Sequence, residues 1–223
     1  MKKSEKLEKL KQTCLNCQAC VLGTTRNNIV FSDGNPDTAK AILIGEAPGA
    51  NEDMTGTPFV GRAGKLLNEF LEKAGISRKE DLYIINTVKC RPPENRVPTN
   101  EEKAECVKYL NEQINIVNPK LLIFCGSTAL QSFYDKKVPI SKIRGTWLDV
   151  TVEGNTYKAM PIFHPSYLLR NHSLEPGKPR ALMMEDLEKI SELFSAFMMG
   201  LGGDISLLTT FNMGKKSSSI YFL

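Results

Sequence analysis

Four short, largely apolar runs punctuate an otherwise mixed sequence: Ala41 to Ile44, Leu82 to Val88, Leu121 to Cys125 and Met160 to Phe163. Each is too short and too evenly apolar for an amphipathic helix, and each reads as a buried strand of a parallel sheet. Between and around them, apolar positions recur at helical spacing over roughly 5–16, 63–74, 99–118, 127–134 and 180–198. Gly75, directly after Ala74, is a natural helix stop. Thr99 with Glu102 forms a capping box, and Pro98 forbids an earlier start for that helix. Strand and helix in alternation predict an α/β protein: a three-layer α/β/α sandwich around a central four-stranded parallel sheet, joined by right-handed crossovers. One domain is expected over residues 1–194, with 195–223 as a C-terminal extension. The Ser/Lys stretch from Lys215 to Ser219 suggests a mobile tail, and no internal repeat is present.

Open parallel sheets bind ligands beyond the carboxyl ends of their strands. That rule directs attention to Gly45-Glu46-Ala47-Pro48-Gly49 after the first strand, Lys89-Cys90-Arg91-Pro92-Pro93 after the second, and His164-Pro165-Ser166-Tyr167 after the fourth. In the first loop, glycines permit close main-chain approach and Pro48 stiffens the turn, although a simple tight loop has the same composition. It matches neither the dinucleotide fingerprint nor the P-loop. Asn86 lies inside an apolar strand, where an amide without a partner costs about 1–3 kcal/mol. It is either bonded structurally or kept to read a ligand, and its donor and acceptor together suit a pyrimidine edge. His164, one of 2 histidines, sits at the sheet's ligand-binding edge. A lone histidine is more often structural.

Composition narrows the class. The 223 residues, 41% apolar, suit one sizeable core. With 29 basic against 25 acidic residues the net charge is only +4, so nucleic-acid binding has to come from a local basic face. The N-terminal segment is positive, but Glu5 and Glu8 interrupt it and no apolar stretch follows, unlike a signal peptide. From Phe194 to Phe211 the chain is apolar, yet Gly200, Gly202, Gly203 and Asp204 break it short of the roughly 20 residues of a span. An intracellular, cytoplasmic protein with no membrane segment is expected.

In such a compartment the 6 cysteines are metal ligands, catalytic thiols or buried hydrophobes before they are disulfides. Cys17 and Cys20 form a CxxC unit, a spacing shared by metal sites and redox pairs. A redox pair belongs at a helix start after a strand, whereas this unit follows a charged helix. Cys90 and Cys106 flank the loop after the second strand, and folding of that loop would bring all four together. Four thiolates suit zinc or a [4Fe-4S] cluster, and ligand count does not separate the two. Cys125 closes an apolar strand as a small hydrophobe, and Cys14, three residues before Cys17, competes as a ligand.

Six ordered segments resemble the family 4 uracil-DNA glycosylases, the iron-sulfur type of thermophilic bacteria and archaea, across about residues 16–193. They are CxxCxL at Cys17 to Leu22, GEAPG at Gly45 to Gly49, Glu52-Asp53, TGTPFVGRAGKLL from Thr55 to Leu67, NTVKCRPPENR from Asn86 to Arg96, and HPSYLLRN from His164 to Asn171. The resemblance implies a [4Fe-4S] cluster on Cys17, Cys20, Cys90 and Cys106, with Cys14 an extra thiol and the cluster structural. It implies excision of uracil from single- or double-stranded DNA to leave an abasic site, as in base excision repair. By the same resemblance, Phe59 stacks on the flipped base, Asn86 bonds its edge, and amides near Gly45, Glu46 and Ala47 meet its carbonyl oxygens. His164 stabilises the departing uracil anion, and Glu46, or more weakly Glu52, positions the water. Leu168 or Leu169 wedges into the duplex, and Arg62, Lys89, Arg91, Arg96, Ser166 and Arg170 contact the DNA backbone. A monomer associated with a prokaryotic nucleoid is expected. The C-terminal Ser-Ile-Tyr-Phe-Leu is a poor match to a sliding-clamp motif, and clamp docking stands beside a packed or disordered tail as an expectation. A glycosylase of different lesion range, a non-catalytic iron-sulfur DNA-binding protein and a zinc protein are the rival readings.

Overall fold

The computed structural model of the chain describes residues 1–200. Its first half holds helices α1 (Lys3–Leu15) and α2 (Leu22–Thr25), strands β1 (Asp33–Gly34) and β2 (Ala41–Gly45), helices α3 (Ala50–Thr55) and α4 (Arg62–Lys73), and strand β3 (Leu82–Asn86). A 3-10 turn at Pro93–Asn95 leads into helix α5 (Asn100–Val117), strand β4 (Leu121–Cys125) and helices α6 (Ser127–Gln131) and α7 (Ile140–Ile143). Strands β5 (Leu148–Val152) and β6 (Asn155–Ile162) and helices α8 (Pro165–Leu168) and α9 (Pro179–Met198) complete it.

The sheet has the order β1-β3-β2-β4-β6-β5. Its four middle strands are parallel, with Gly45 opposite Asn86 and Cys125 opposite Ile162. Alternation decides which side chain faces which layer. Leu43, Ile84, Ile123 and Met160 pack beneath α4 and α9 through Leu67, Leu71, Leu187 and Ile190. Ile42, Ile44, Ile85 and Phe124 pack on the other face against Leu110 and Ile114 of α5 and Leu7 of α1. Burial on both faces explains why these strands are continuous apolar runs. The α/β/α sandwich is therefore as expected.

The sheet is wider than four strands. β1 pairs antiparallel with β3, and β5 pairs antiparallel with β6. Both added strands are edges: β1 is two residues long, and β5 alternates exposed and buried positions instead of forming an apolar run. The run at Met160 is the buried end of an eight-residue strand. The β5–β6 hairpin turns on Glu153 and Gly154, both at positive φ (47° and 85°), as a two-residue hairpin loop requires.

Helix α5 begins as predicted, with the Thr99 hydroxyl accepting from the Glu102 amide at 3.2 Å and the Glu102 carboxylate accepting from the Thr99 amide at 2.9 Å. Helix α9 continues through Ser195 to Met198 with Ala196 buried. From residue 201 the expected extension, including its Ser/Lys stretch and apolar-aromatic end, lies outside the described residues. Among the described residues, no helix is long and apolar enough to cross a membrane.

Candidate active site

Glu46, Ala47, Phe59, Asn86, His164 and Ser166 line one pocket of about 290 Å³ at the carboxyl ends of β2, β3 and β6. Strand register builds its floor. Gly45 and Asn86 are paired neighbours, and a β-carbon at Gly45 would collide with Asn86 Oδ1 and the Phe59 ring. Only glycine leaves the room in which the amide and the ring meet. Asn86 is buried, and its Oδ1 has no hydrogen-bond partner. A buried acceptor left unbonded costs about 1–3 kcal/mol, so it is poised for a donor that arrives with a ligand.

Phe59 enters the pocket from a strained backbone, with φ at 52°. Several groups hold it there. Arg78 donates to the carbonyls of Phe59 at 2.8 Å and Pro58 at 2.5 Å, while its Nε pairs with Asp33 at 2.9 Å. Gly64 leaves space for the Phe59 carbonyl, which any β-carbon there would strike. The Glu52 carboxylate accepts from the amides of Gly49, Val60 and Gly61 at 3.1, 2.9 and 2.8 Å. Glu52 is thereby committed to bracing the loop around Phe59, which argues against its assignment as a water-positioning group.

The His164 ring lies 5.9 Å from the Phe59 ring, tilted by 34°. Its Nδ1 accepts from the Ser166 amide at 3.2 Å and lies 2.7 Å from Ser166 Oγ. An Nδ1 that accepts leaves the proton on Nε2, which makes the ring a donor through its other nitrogen. Burial pushes its pKa down from 6.5 to about 4, although Glu52 pulls in the opposite direction. The ring is neutral at physiological pH. Glu46 Oε2 accepts from the Thr128 hydroxyl at 2.5 Å, which fixes one carboxylate oxygen. Thr128 stands in α6, after β4.

The DNA-facing candidates divide. Arg62 and Arg170 are exposed, as is Arg96, which pairs with Glu102 at 2.6 Å; Arg91 is half-buried and bonded to Asn95 at 2.8 Å. Lys89 does not belong with them: it is 0% exposed and donates to the Asn86 carbonyl at 2.8 Å, so it cannot reach a phosphate. Leu168 is also misassigned as a wedge, because it is 0% exposed in the core beneath α4. Leu169 is half-buried, and Tyr167 on the same turn is 49% exposed. Arg180 braces that turn by donating to the carbonyls of Leu168 and Asn171 at 3.2 and 2.9 Å.

A second pocket is lined by Cys14, Cys17, Cys20, Cys90 and Cys106. All six cysteines are free, and Cys125 is buried in the sheet. Burial pushes the Cys14 thiol up to about 12 and that of Cys90 to about 11, against the pull of Lys89 and Arg26 respectively. Arg26 Nη1 lies 3.7 Å from Cys90 Sγ, and Lys89 faces Cys106, Cys14 and Cys90. Among the described residues, no three His, Cys, Asp or Glu side chains are grouped to hold a metal ion.

Sequence reading missed Arg78, Thr128, Arg26 and Arg180. Thr128 carried a usable signal, since the loop after the third strand obeys the same strand-end rule as the other three. The arginines carried none, because their roles are to cap carbonyls or thiols that are distant in sequence.

The pattern of the Uracil DNA glycosylase superfamily matches residues 31–188. The chain is 50% identical over 188 residues to a type-4 uracil-DNA glycosylase of Thermotoga maritima, covering 84% of this chain and 94% of that relative. It is 38% identical over 193 residues to a type-4 uracil-DNA glycosylase of Archaeoglobus fulgidus, covering 85% and 94%. A relative of the same description from Saccharolobus solfataricus is 38% identical over 208 residues, covering 91% and 92%.

Proposed function

Because this chain belongs to the uracil DNA glycosylase superfamily, and within it to the type-4 enzymes, we propose that its pocket binds a uracil flipped out of DNA and that Asn86, His164 and Glu46 excise it. The enzyme is a monofunctional glycosylase that hydrolyses the N-glycosidic bond and leaves an abasic site in DNA repair. The buried, unpartnered Asn86 Oδ1 carries the assignment of the pocket. Uracil presents N3–H where that acceptor lacks a partner, whereas cytosine presents a lone pair there, so cytosine leaves the amide unsatisfied. Phe59 stacks on the base, and stacking with edge contacts offsets the few kcal/mol of flipping.

The reaction follows from the remaining groups. The bond between the sugar C1′ and uracil N1 breaks, its electron pair passes to the base, and the sugar becomes oxocarbenium-like. Neutral His164 donates Nε2–H to the developing negative charge on the uracil carbonyl oxygen without being protonated itself. Water bonds to C1′ and releases a proton, and Glu46, with one oxygen held by Thr128, orients that water and accepts its proton. Glu52 acts at one remove by holding the Phe59 loop. Arg62, Arg91, Arg96 and Arg170 supply backbone contacts around the pocket mouth, and Leu169 with Tyr167 is the apolar pair available to enter the duplex.

The second pocket fits a [4Fe-4S] cluster on Cys17, Cys20, Cys90 and Cys106. A cluster takes one thiolate per iron, so its ligands surround a cage instead of converging on one ion. Its negative charge would answer the two cations, Lys89 and Arg26, that face buried thiols. When bound, a cluster would supply a covalent cross-link between the N-terminal segment and the loop before α5, while the cysteines themselves contribute nothing to bond cleavage.

The deciding assay incubates purified protein with duplexes carrying uracil opposite guanine or adenine, hypoxanthine, or thymine opposite guanine, and with single-stranded uracil DNA. Release of uracil is expected, and its absence from every substrate would overturn the function. A brown, iron-containing preparation with broad absorption supports the cluster, and colourless zinc protein overturns it.

A further inference from the structure

One five-residue segment, Asn86–Cys90, runs from the uracil pocket to the thiol pocket. Its first residue reads the base and its last is a thiol ligand. The main chain between them is held on both sides: the Thr87 amide donates to the Gly45 carbonyl at 3.0 Å, and the Lys89 carbonyl accepts from the Val30 amide at 2.8 Å. The Thr87 hydroxyl adds a bond to the Glu46 carbonyl at 2.6 Å.

The Lys89 side chain folds back along this segment. Its ammonium donates to the Asn86 carbonyl at 2.8 Å and is wholly buried. Among the described residues no ion pair joins it to a carboxylate; Glu105, which also lines the thiol pocket, is exposed, and the Lys89 charge faces Cys106, Cys14 and Cys90 instead. An unpaired buried ammonium is costly, and a negative charge beside it offsets that cost. The thiol pocket, if loaded with an anionic cluster, would supply that charge.

We infer that Lys89 is a positioning residue joining the two pockets, its ammonium balancing the cluster's charge on one side and holding the carbonyl of Asn86 on the other. The inference rests on the cluster reading above. It makes the uracil-reading amide depend on a group that takes no part in bond cleavage. Cluster loss releases the Lys89 charge, and with it the clamp on the end of β3.

The test uses anaerobically purified full-length wild type, Lys89→Met and Lys89→Arg. Methionine removes the charge at similar volume, and arginine retains it. In Lys89→Met the midpoint potential of the cluster shifts negative, because a nearby positive charge no longer favours the reduced form. Iron passes to a chelator about 10-fold faster, the scale on which outer contacts tune metal sites. The KM for uracil DNA rises while kcat changes little, the mark of lost binding shared by ground and transition states. Lys89→Arg restores the wild-type potential. Wild-type potential and KM in Lys89→Met overturn the inference and leave the cluster reading standing. An iron-free wild type overturns both, and is recognised without any variant. If Lys89→Met does not fold, Lys89→Gln, which keeps a donor for the Asn86 carbonyl but removes the charge, decides: a negative shift of the potential supports the role of charge, and a wild-type potential overturns it.

Discussion

The uracil pocket and the thiol pocket meet the same requirement, a fixed constellation of side chains, by opposite means. In the first, the polypeptide completes the geometry by itself: Glu52 spans three amides, Arg78 clamps two carbonyls, and glycines at 45 and 64 leave room for the ring and amide. Its buried acceptor without a partner, Asn86 Oδ1, is an atom to which the proposed substrate would bond. In the second, the polypeptide alone leaves buried thiols that resist ionisation beside a buried ammonium. Protein contacts pre-organise a site for a transient ligand, whereas a site for a permanent ligand can leave its electrostatics to that ligand.

If this contrast holds, the two regions fail differently. The largest effect is expected at the thiol pocket: Cys90→Ala or Cys106→Ala, or removal of iron by a chelator, lowers the melting temperature by about 10 °C or more, because a structural metal group contributes folding energy directly. Calorimetry checks this, and unchanged melting would break the comparison. His164→Ala comes next, with kcat lower by about 10²–10³, the scale of one lost oxyanion donor, and little change in melting. Asn86→Ala costs about 1–3 kcal/mol in kcat/KM, near 10- to 100-fold, and relaxes discrimination against cytosine in a paired assay. Thr128→Val frees the Glu46 carboxylate and lowers kcat by roughly 10-fold, about the value of one hydrogen bond to a charged group, while Thr128→Ser retains activity.

The smallest effect is on pH. His164 titrates at about 4 in the folded protein and at 6.5 ordinarily. The unfolded chain therefore takes up a proton in that window that the folded protein refuses. This contribution to stability is complete above pH 6.5 and is lost as pH falls toward 4. Urea unfolding of wild type and His164→Asn at pH 7 and pH 5 isolates it: the variant's loss between the two is the smaller. Activity stays free of a His164 titration down to about pH 4, and a kinetic pKa near 6.5 assigned to that residue would contradict the neutral ring.

Much of the sandwich was legible because apolar runs and capping boxes are local signals. The two antiparallel edge strands were not, since β1 has two residues and β5 alternates like a solvated surface. The strand-end rule located Glu46 and His164, an amide inside an apolar strand singled out Asn86, and the resemblance added Phe59. What each carboxylate does was beyond reach of the sequence. Glu46 and Glu52 are both acids near the same loop, and only their partners, one hydroxyl against three amides, assign them different roles.

By itself, then, the order of residues determined the alternation of strands and helices, the loops proposed to carry chemistry, and a set of thiols spaced as for a metal site. Tertiary structure decided which side of each loop faces the core. Lys89 reads as a basic residue in a basic loop, yet burial turns it inward to the thiols; Leu168 and Leu169 are chemically identical, yet the first is wholly buried in the core and the second only half-buried against its edge. The physical reason is common to both. Periodicity specifies an element from its neighbours in sequence, but the direction of a side chain in an irregular loop depends on which distant carbonyls, thiols and apolar surfaces the fold brings beside it.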